Sequence, residues 1–360
     1  MKHLAGKASV WVMTAMLAVS PVLLSTPALA KTSTSTKTAT TTKTATTKTV
    51  SKTSSSKLKT ASVKTQKRTT VASRKQPDQF AALVVNADTG EVLYDKNAGA
   101  LRYPASLTKM MTLYMTFDAL KRGTLSIDQT MPVSAKAASQ PQTNISLHPG
   151  ERLPVKTAIE SLVVRSANDS AMVLAEALGG TEFNFALAMT QKARELGMKN
   201  TLFRNPNGLP DDKQVTTAYD MARLAIALRR DFPDYYHYFK MTSFSYNGVT
   251  YPGHNRVMER YHGADGVKTG YIRASGFNLV TSVQRDGYKL VAVVLGGHTA
   301  TERDNKMIAL LDDTFAQLNG NSLAHAKTVP GKGASLYTAV SGVDWAPSAG
   351  QGDCATLDCR

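Results

Sequence analysis

Two pairs of short apolar runs, at opposite ends of the globular part of the sequence, constrain the fold most. The first pair lies in FAALVVNADTGEVLYDK, around Asp88-Thr89-Gly90, and the second lies in GFNLVTSVQRDGYKLVAVVLGG, around Arg285-Asp286-Gly287. Apolar runs of this length, joined by such turn residues, indicate β-hairpins. The stretch between them is mostly of helical periodicity. We therefore predict a mixed α/β (α+β) fold, in which an antiparallel sheet built from both ends is flanked by helices and carries a helical subdomain.

The helical periodicity predicts four helical stretches between and after these hairpins. They are 106–123, 157–196 with a break at Gly179-Gly180, 217–230 and 301–318. The segment NPNGLPDD indicates a long turn, and SFSYNGVTY indicates a strand pair or bulge. About 240 residues of this kind are ample for one domain with a sizeable core.

The first thirty residues have the pattern of a secretory signal peptide. Lys2 and Lys7 precede an apolar run from Ala8 to Leu24 that is broken by Pro21, and TPALA closes the segment at Ala30. A basic start, a short apolar core and small residues before the cut are typical of such signals. We expect residues 1–30 to be a signal peptide and the protein to be exported, either periplasmic or associated with the cell envelope. The alternative is an uncleaved membrane anchor, although the run is short and interrupted for a span.

The formal charge of +16 comes mostly from residues 31–77, which hold twelve Lys and Arg residues and no acidic residue. This Lys-, Thr- and Ser-rich segment has too few apolar residues to offset its ordering entropy, so we expect a disordered linker. It is either a solvated spacer or a polycationic tether to anionic envelope polymers. Since the remaining sequence is nearly neutral, nucleic acid is not an expected partner.

The globular domain is predicted at 78–320, followed by a flexible C-terminal tail at 321–360. Both cysteines, Cys354 and Cys359, lie in this tail. In an exported protein they could close a small disulfide loop, and the sequence leaves this open. No histidine pair has metal-ligand spacing, so neither a metal nor another cofactor is expected.

The segment YPASLTKMM places Ser106 and Lys109 three residues apart at the start of a predicted helix. Side chains at this spacing lie on one face of a helix, which brings a hydroxyl and an amine together. A serine whose base is a lysine can be built in this way. The lysine must be neutral to act, so its pKa must fall by several units; Lys268 and the positive helix end would both lower it. The alternative is a purely structural role, in which Ser106 only caps the helix.

Two more motifs follow in order: RSANDSA, with Ser166 and Asn168, and DGVKTGY, with Lys268, Thr269 and Gly270. With these three motifs the chain resembles the serine DD-peptidases, the low-molecular-mass penicillin-binding proteins that act as D-alanyl-D-alanine carboxypeptidases. The resemblance spans about residues 80–318 and implies a DD-peptidase/β-lactamase-like fold. Each motif alone could be a helix cap or a strand end; the three in order argue for a site.

The resemblance implies a role for each matched residue. Ser106 would be the nucleophile and Lys109 its base, with Lys268 the second cation. Ser166 would relay a proton to the departing amine, and Asn168 would hold the substrate amide. Gly270 would let a peptide lie along the strand edge, the N–H groups of Ser106 and Tyr271 would bind the oxyanion, and Thr269 and Arg303 would hold the terminal carboxylate. Arg303 could instead be an ordinary residue of the last helix.

The best interpretation is an exported serine DD-carboxypeptidase that removes terminal D-alanine from peptidoglycan stem peptides and is acylated by β-lactam antibiotics. The alternatives are a DD-endopeptidase, a weak β-lactamase and a non-catalytic peptidoglycan-binding protein. Residues 201–216, where a class A β-lactamase would carry its deacylating glutamate, contain Asp211 and Asp212 but no Glu, which argues against efficient penicillin hydrolysis.

Overall fold

The computed structural model describes residues 79–320 and Leu336 of the 360-residue chain. The predicted signal peptide, the Lys-rich linker, both cysteines and all of the predicted tail except Leu336 lie outside the described residues. Among residues 79–320, no helix is both long enough and apolar enough to cross a membrane.

The main sheet has five antiparallel strands, drawn from both ends of the described chain in the order β2-β1-β9-β8-β7. Its strands are β1 (Ala81–Asn86), β2 (Val92–Lys96), β7 (Ala264–Ile272), β8 (Gly276–Arg285) and β9 (Tyr288–Gly297). Two small hairpins are formed by β3 (Thr130–Pro132) with β4 (Arg152–Pro154), and by β5 (Ser243–Tyr246) with β6 (Val249–Pro252). The prediction of an antiparallel sheet built from both ends is confirmed, as is the strand pair at SFSYNGVTY.

The helices between these strands form the predicted helical subdomain, and a last helix follows the sheet. They are α1 (Lys109–Lys121), α2 (Ala135–Ala138), α3 (Val155–Val164), α4 (Asn168–Gly179), α5 (Glu182–Glu195), α6 (Ala218–Asp231), α7 (Val257–Arg260) and α8 (Ala300–Leu318). Short 3₁₀ segments run over Ala105–Thr108 and Pro233–Lys240.

Two helix boundaries differ from the prediction. The stretch 157–196 is broken not only near Gly179-Gly180 but also at Ser166, whose φ of +63° is incompatible with a continuing right-handed helix. Ser106 lies in a 3₁₀ segment, and the α-helix begins only at Lys109. Neither Ser106 nor Ser166 is a glycine or proline, so the sequence pattern did not indicate these two boundaries.

Threonine caps explain where three of the longer helices begin. Thr181, Thr217 and Thr299 precede α5, α6 and α8, and each hydroxyl accepts a hydrogen bond from the backbone N–H three residues later. Such a cap satisfies one of the free donors in the first turn and stabilises the helix by about 1 kcal/mol.

Both faces of the sheet are buried. Leu83 and Val293 belong to the larger apolar cluster with α1 and α6, whereas Val84 and Val294 belong to a second cluster with α8. Alternate residues of a strand point to opposite faces, so each buried strand supplies both clusters. The sheet is thereby held between the helical subdomain and α8, and its last strand, β7, lies at the edge.

Leu336 is the one described residue beyond position 320, and it packs against this domain. Its side chain is fully buried in the larger apolar cluster, and its N–H donates a hydrogen bond to the Gly90 carbonyl at 2.5 Å. Its own carbonyl accepts a hydrogen bond from the Arg223 guanidinium on α6. This residue is therefore packed between the β1–β2 turn and α6.

Candidate active site

Ser106 lies where the helical subdomain meets the edge strand β7. The preceding residue, Ala105, has a φ of +50°, which is uncommon for a residue with a side chain. On β7, a Cβ placed on Gly270 would lie only 3.0 Å from the Ser106 nitrogen. A side chain at position 270 would crowd the backbone of Ser106, and glycine there allows the strand to approach that backbone closely.

Lys109 reaches three groups from the first turn of α1. Its Nζ lies 3.2 Å from Ser106 Oγ and donates hydrogen bonds to Asn168 Oδ1 at 2.7 Å and to the Asn207 carbonyl at 2.6 Å. The side chain is completely buried. Because two oxygen acceptors fix the amine, it is held beside the serine hydroxyl rather than free to sample other positions.

The surroundings lower the pKa of both buried lysines. Burial is the larger cause for Lys109, the charge on Lys268 adds to it, and Asp169 opposes them; the pKa of Lys109 falls well below its ordinary value. For Lys268, burial and then Arg303 lower the pKa to about 7. Burial and a neighbouring positive charge both disfavour the protonated form of a lysine amine. The sequence predicted the influence of Lys268, but burial contributes more.

Ser166 and Asn168 lie at the break between α3 and α4. Asn168 faces Lys109 through Oδ1 and donates from Nδ2 to the Pro141 carbonyl at 2.9 Å. Ser166 Oγ is buried and has no hydrogen-bond partner among the described residues. An unpaired buried hydroxyl is costly, and at this place it is available to a substrate.

The Asp169 carboxylate stabilises the loop that faces this break. It accepts hydrogen bonds from the N–H groups of Ile145 and Leu147 at 3.0 and 3.2 Å. Burial raises its pKa, while the backbone hydrogen bonds act in the opposite direction. Asp169 therefore positions the surrounding loop rather than contacting the serine.

Lys268, Thr269, Gly270 and Tyr271 lie in the second half of β7. Lys268 Nζ donates to the Thr269 carbonyl at 2.9 Å, and both side chains are buried. Tyr271 is 53% exposed and stacks on Phe277 of β8 with ring centroids 4.2 Å apart. The strand continues to Ile272, two residues beyond the Lys268-Thr269-Gly270 motif.

Arg303 lies in the first turn of α8 and is almost completely buried. Its Nε and one terminal nitrogen donate to Asp304 Oδ1 at 2.9 and 2.7 Å, and its other terminal nitrogen donates to the Asn278 carbonyl at 3.2 Å. A guanidinium has five N–H groups, so each terminal nitrogen keeps one more to donate.

A cavity of about 500 Å³ collects these groups. Seven of the nine predicted site residues line it: Ser106, Ser166, Asn168, Thr269, Gly270, Tyr271 and Arg303. The other two are the buried lysines, of which Lys109 contacts Ser106 and Lys268 adjoins Thr269. The structure thus brings together all of the residues that the motifs predicted, while their individual chemical roles stay predictions.

The sequence interpretation missed the contribution of the turn NPNGLPDD. Asn207 supplies the carbonyl that binds Lys109, and Gly208 lies against the backbone of Ala105 with a φ of +86°. A Cβ at Gly208 would overlap the Ala105 carbonyl group. The Asn-Gly pair signalled only a turn, because nothing local shows that the turn packs against a residue about a hundred positions earlier.

His254 and Arg256 also line the cavity, in addition to the nine predicted site residues. Arg256 is the residue that the sequence interpretation names, with Thr269, as an alternative to Arg303 for holding the terminal carboxylate. Within residues 79–320, no group of three or more His, Cys, Asp and Glu side chains is arranged to hold a metal ion.

Comparison with protein-family models matches residues 66–299 to Peptidase_S11, described as D-alanyl-D-alanine carboxypeptidase. Among curated proteins, the chain is 35% identical over 254 residues to D-alanyl-D-alanine carboxypeptidase DacF of Bacillus subtilis, covering 68% of this chain and 64% of that one. It is 33% identical over 243 residues to D-alanyl-D-alanine carboxypeptidase DacA of Escherichia coli, covering 66% and 60%. The chain therefore spans slightly less than two thirds of the length of these relatives.

Solved structures share the fold. Penicillin binding protein 5 from Haemophilus influenzae aligns with a TM-score of 0.64 at 31% identity, covering 66% of this chain and 70% of that one. Penicillin-binding protein D2 from Listeria monocytogenes, in a cefotaxime-bound form, aligns with a TM-score of 0.60 at 26% identity, covering 65% and 96%. The predicted fold class is confirmed by these neighbours.

Proposed function

Since the chain belongs to the D-alanyl-D-alanine carboxypeptidase family, Peptidase_S11, we propose that it is a serine DD-carboxypeptidase acting on peptidoglycan stem peptides. In this proposal the enzyme removes the terminal D-alanine through an acyl-enzyme on Ser106. The observation that carries it is the contact between Ser106 Oγ and the buried Lys109 Nζ at 3.2 Å.

The first step is attack by Ser106 Oγ on the carbonyl carbon of the penultimate D-alanine. As the new C–O bond forms, the hydroxyl proton passes to the neutral amine of Lys109. The lowered pKa of Lys109 favours the neutral amine that this transfer requires. The two oxygens of Asn168 and Asn207 hold the amine in place during the transfer.

The carbonyl oxygen becomes negative in the tetrahedral intermediate, where the N–H groups of Ser106 and Tyr271 stabilise it. The C–N bond then breaks, and the proton that Lys109 accepted passes through the unpaired hydroxyl of Ser166 to the departing D-alanine amine. Water hydrolyses the resulting ester, which releases the shortened stem peptide and restores the Ser106 hydroxyl. Thr269 and Arg303 hold the terminal carboxylate of the substrate before cleavage.

The proposal is tested by incubating the purified protein with muropeptides and measuring their masses. Loss of one alanine from pentapeptides is expected, and Ser106→Ala should abolish both this loss and covalent labelling by a fluorescent penicillin. A cut crosslink without alanine loss would identify an endopeptidase, and steady hydrolysis of the penicillin a β-lactamase. No labelling of the wild-type protein would indicate a binding protein without activity.

The same proposal includes export and a role for residues 31–77 as a cationic tether to anionic envelope polymers. Twelve basic residues without an acidic one support it. Deleting 31–77 is expected to leave turnover of a small D-Ala-D-Ala peptide unchanged while reducing retention on isolated cell envelopes. Because exposed charges are screened by salt, this difference should disappear at about 1 M salt. Lost activity on the small peptide would contradict the proposed domain boundary, and equal retention would contradict the tether.

A further inference from the structure

The rings of Tyr271 and Phe277 form an aromatic shelf in the cavity of the nucleophile. Only the backbone N–H of Tyr271 takes part in the steps above, and the two rings have no role in them. The two rings are stacked across the β7–β8 pair, where Tyr271 and Phe277 are direct partners in register. More than half of the Tyr271 surface remains exposed even so. Both rings line the cavity that contains Ser106.

The pleat of β7 places the shelf on a definite side of the site. Residues two apart on a strand share a face, so the Tyr271 side chain lies on the same face as that of Thr269. Gly270 lies between them, and the Cβ that it lacks would point to the Ser106 nitrogen. The shelf therefore lies next to the proposed carboxylate site, on the face of β7 away from the backbone of the nucleophile.

A substrate peptide that lies antiparallel along the edge of β7 has a fixed register. If its terminal D-alanine is opposite Thr269, the penultimate D-alanine is opposite Gly270 and the third stem residue is opposite Tyr271. Directly opposed residues of an antiparallel pair place their side chains on the same face, with their Cβ atoms about 4.5–5.5 Å apart. The L-configured third residue therefore directs its side chain towards the ring of Tyr271.

We propose that the Tyr271–Phe277 shelf is a subsite for the side chain of the third stem residue, and that it selects long, aliphatic chains. A side chain with several methylene groups can cover the exposed ring as neighbouring apolar side chains do in a core. Ile272 and Ala300 extend the apolar lining of the cavity at this end. This inference rests on the proposed function, since it names the substrate class of the same site.

The test compares two substrates that differ only in the third side chain. These are diacetylated L-Lys-D-Ala-D-Ala, whose ε-amine is blocked, and acetylated L-Ala-D-Ala-D-Ala. Tyr271→Ala is expected to lower kcat/KM for the lysine substrate by about tenfold, the scale of a lost apolar contact in a specificity pocket. Because the N–H of Tyr271 belongs to the proposed oxyanion site, the readout is the ratio of the two kcat/KM values: the alanine substrate is expected to lose much less than the lysine substrate. Phe277→Leu, which removes the second ring, should shift the preference in the same direction.

Tyr271→Phe is the matched control, because it keeps the ring and loses only the hydroxyl. Its ratio of kcat/KM for the lysine substrate to kcat/KM for the alanine substrate should match that of the wild type. An equal loss on both substrates in Tyr271→Ala would overturn the subsite and show that the side chain only supports the strand. An unchanged preference would overturn it as well. Failure of the wild type to release D-alanine from either substrate would instead refute the proposed function, and the subsite with it.

Discussion

Lys109→Met is expected to slow the acylation of Ser106 by a fluorescent penicillin by about 10²–10⁴-fold, the contribution of a positioned general base. Methionine keeps an unbranched apolar side chain in the buried space but cannot accept the hydroxyl proton. The measurement is the second-order rate constant of labelling, taken at a pH at which the rate of the wild type no longer increases. Labelling of the variant at the wild-type rate would remove Lys109 from the mechanism.

The variant also leaves two buried acceptors, Asn168 Oδ1 and the Asn207 carbonyl, without their donor. Each loss costs about 1–3 kcal/mol of folding free energy, although replacing a buried amine by an apolar side chain offsets part of it. The melting temperature therefore has to be measured beside the rate. Lys121→Met, at the last turn of the same helix, is the matched control and should leave the labelling rate unchanged.

The pH dependence gives a second readout of the same base. Only neutral Lys109 accepts a proton, so the acylation rate should fall as the pH drops through the pKa of Lys109. Lys268 holds that pKa down while it is charged. Lys268→Met is therefore expected to raise the pKa of Lys109 and move the acid limb to higher pH. An acid limb that stays in place would show that burial alone lowers the pKa.

The sheet was predictable from the sequence because its evidence is local. Each of the hairpins around Gly90 and Gly287 consists of apolar runs next to each other, with the turn residues between them. The helix start at Thr217 was also within one residue of the observed bound, since a threonine cap marks it. The break at Ser166 was not predictable, because its left-handed backbone is maintained by contacts with the distant residue Thr143, whose hydroxyl donates to the Ser166 carbonyl at 2.8 Å.

The same distinction applies to the site. Three motifs identified the side chains, because the spacing within each motif fixes neighbours on one helix or strand. The acceptors of Lys109 belong to other segments: Asn168 lies 59 residues away, and the Asn207 carbonyl lies 98 residues away. A backbone carbonyl carries no residue preference, so the sequence offers no signal for it. The pKa of Lys109 depends mainly on burial, which is likewise a property of the assembled fold.

Arg303→Ala is expected to reduce kcat/KM for a D-Ala-D-Ala peptide acid by an amount equivalent to about 2–4 kcal/mol, the loss of a charge-assisted pair with the terminal carboxylate. The corresponding peptide amide lacks the negative charge and should lose much less. The guanidinium is already bound to Asp304 and to the Asn278 carbonyl. These contacts fix its plane, and one N–H group on each terminal nitrogen remains for the substrate.

Because of these contacts, a loss of activity alone would not assign the role. Arg303→Ala leaves Asp304 buried without its partner, which lowers stability whether or not Arg303 binds substrate. The double variant Arg303→Met with Asp304→Leu removes both charges together and restores an apolar contact, so the acid–amide difference can be measured in a folded protein. If acid and amide lose kcat/KM equally in both variants, Arg303 only supports α8 against β8. The carboxylate would then be held by Thr269 together with Arg256, which lines the same cavity, and Arg256→Ala should show the difference between acid and amide instead.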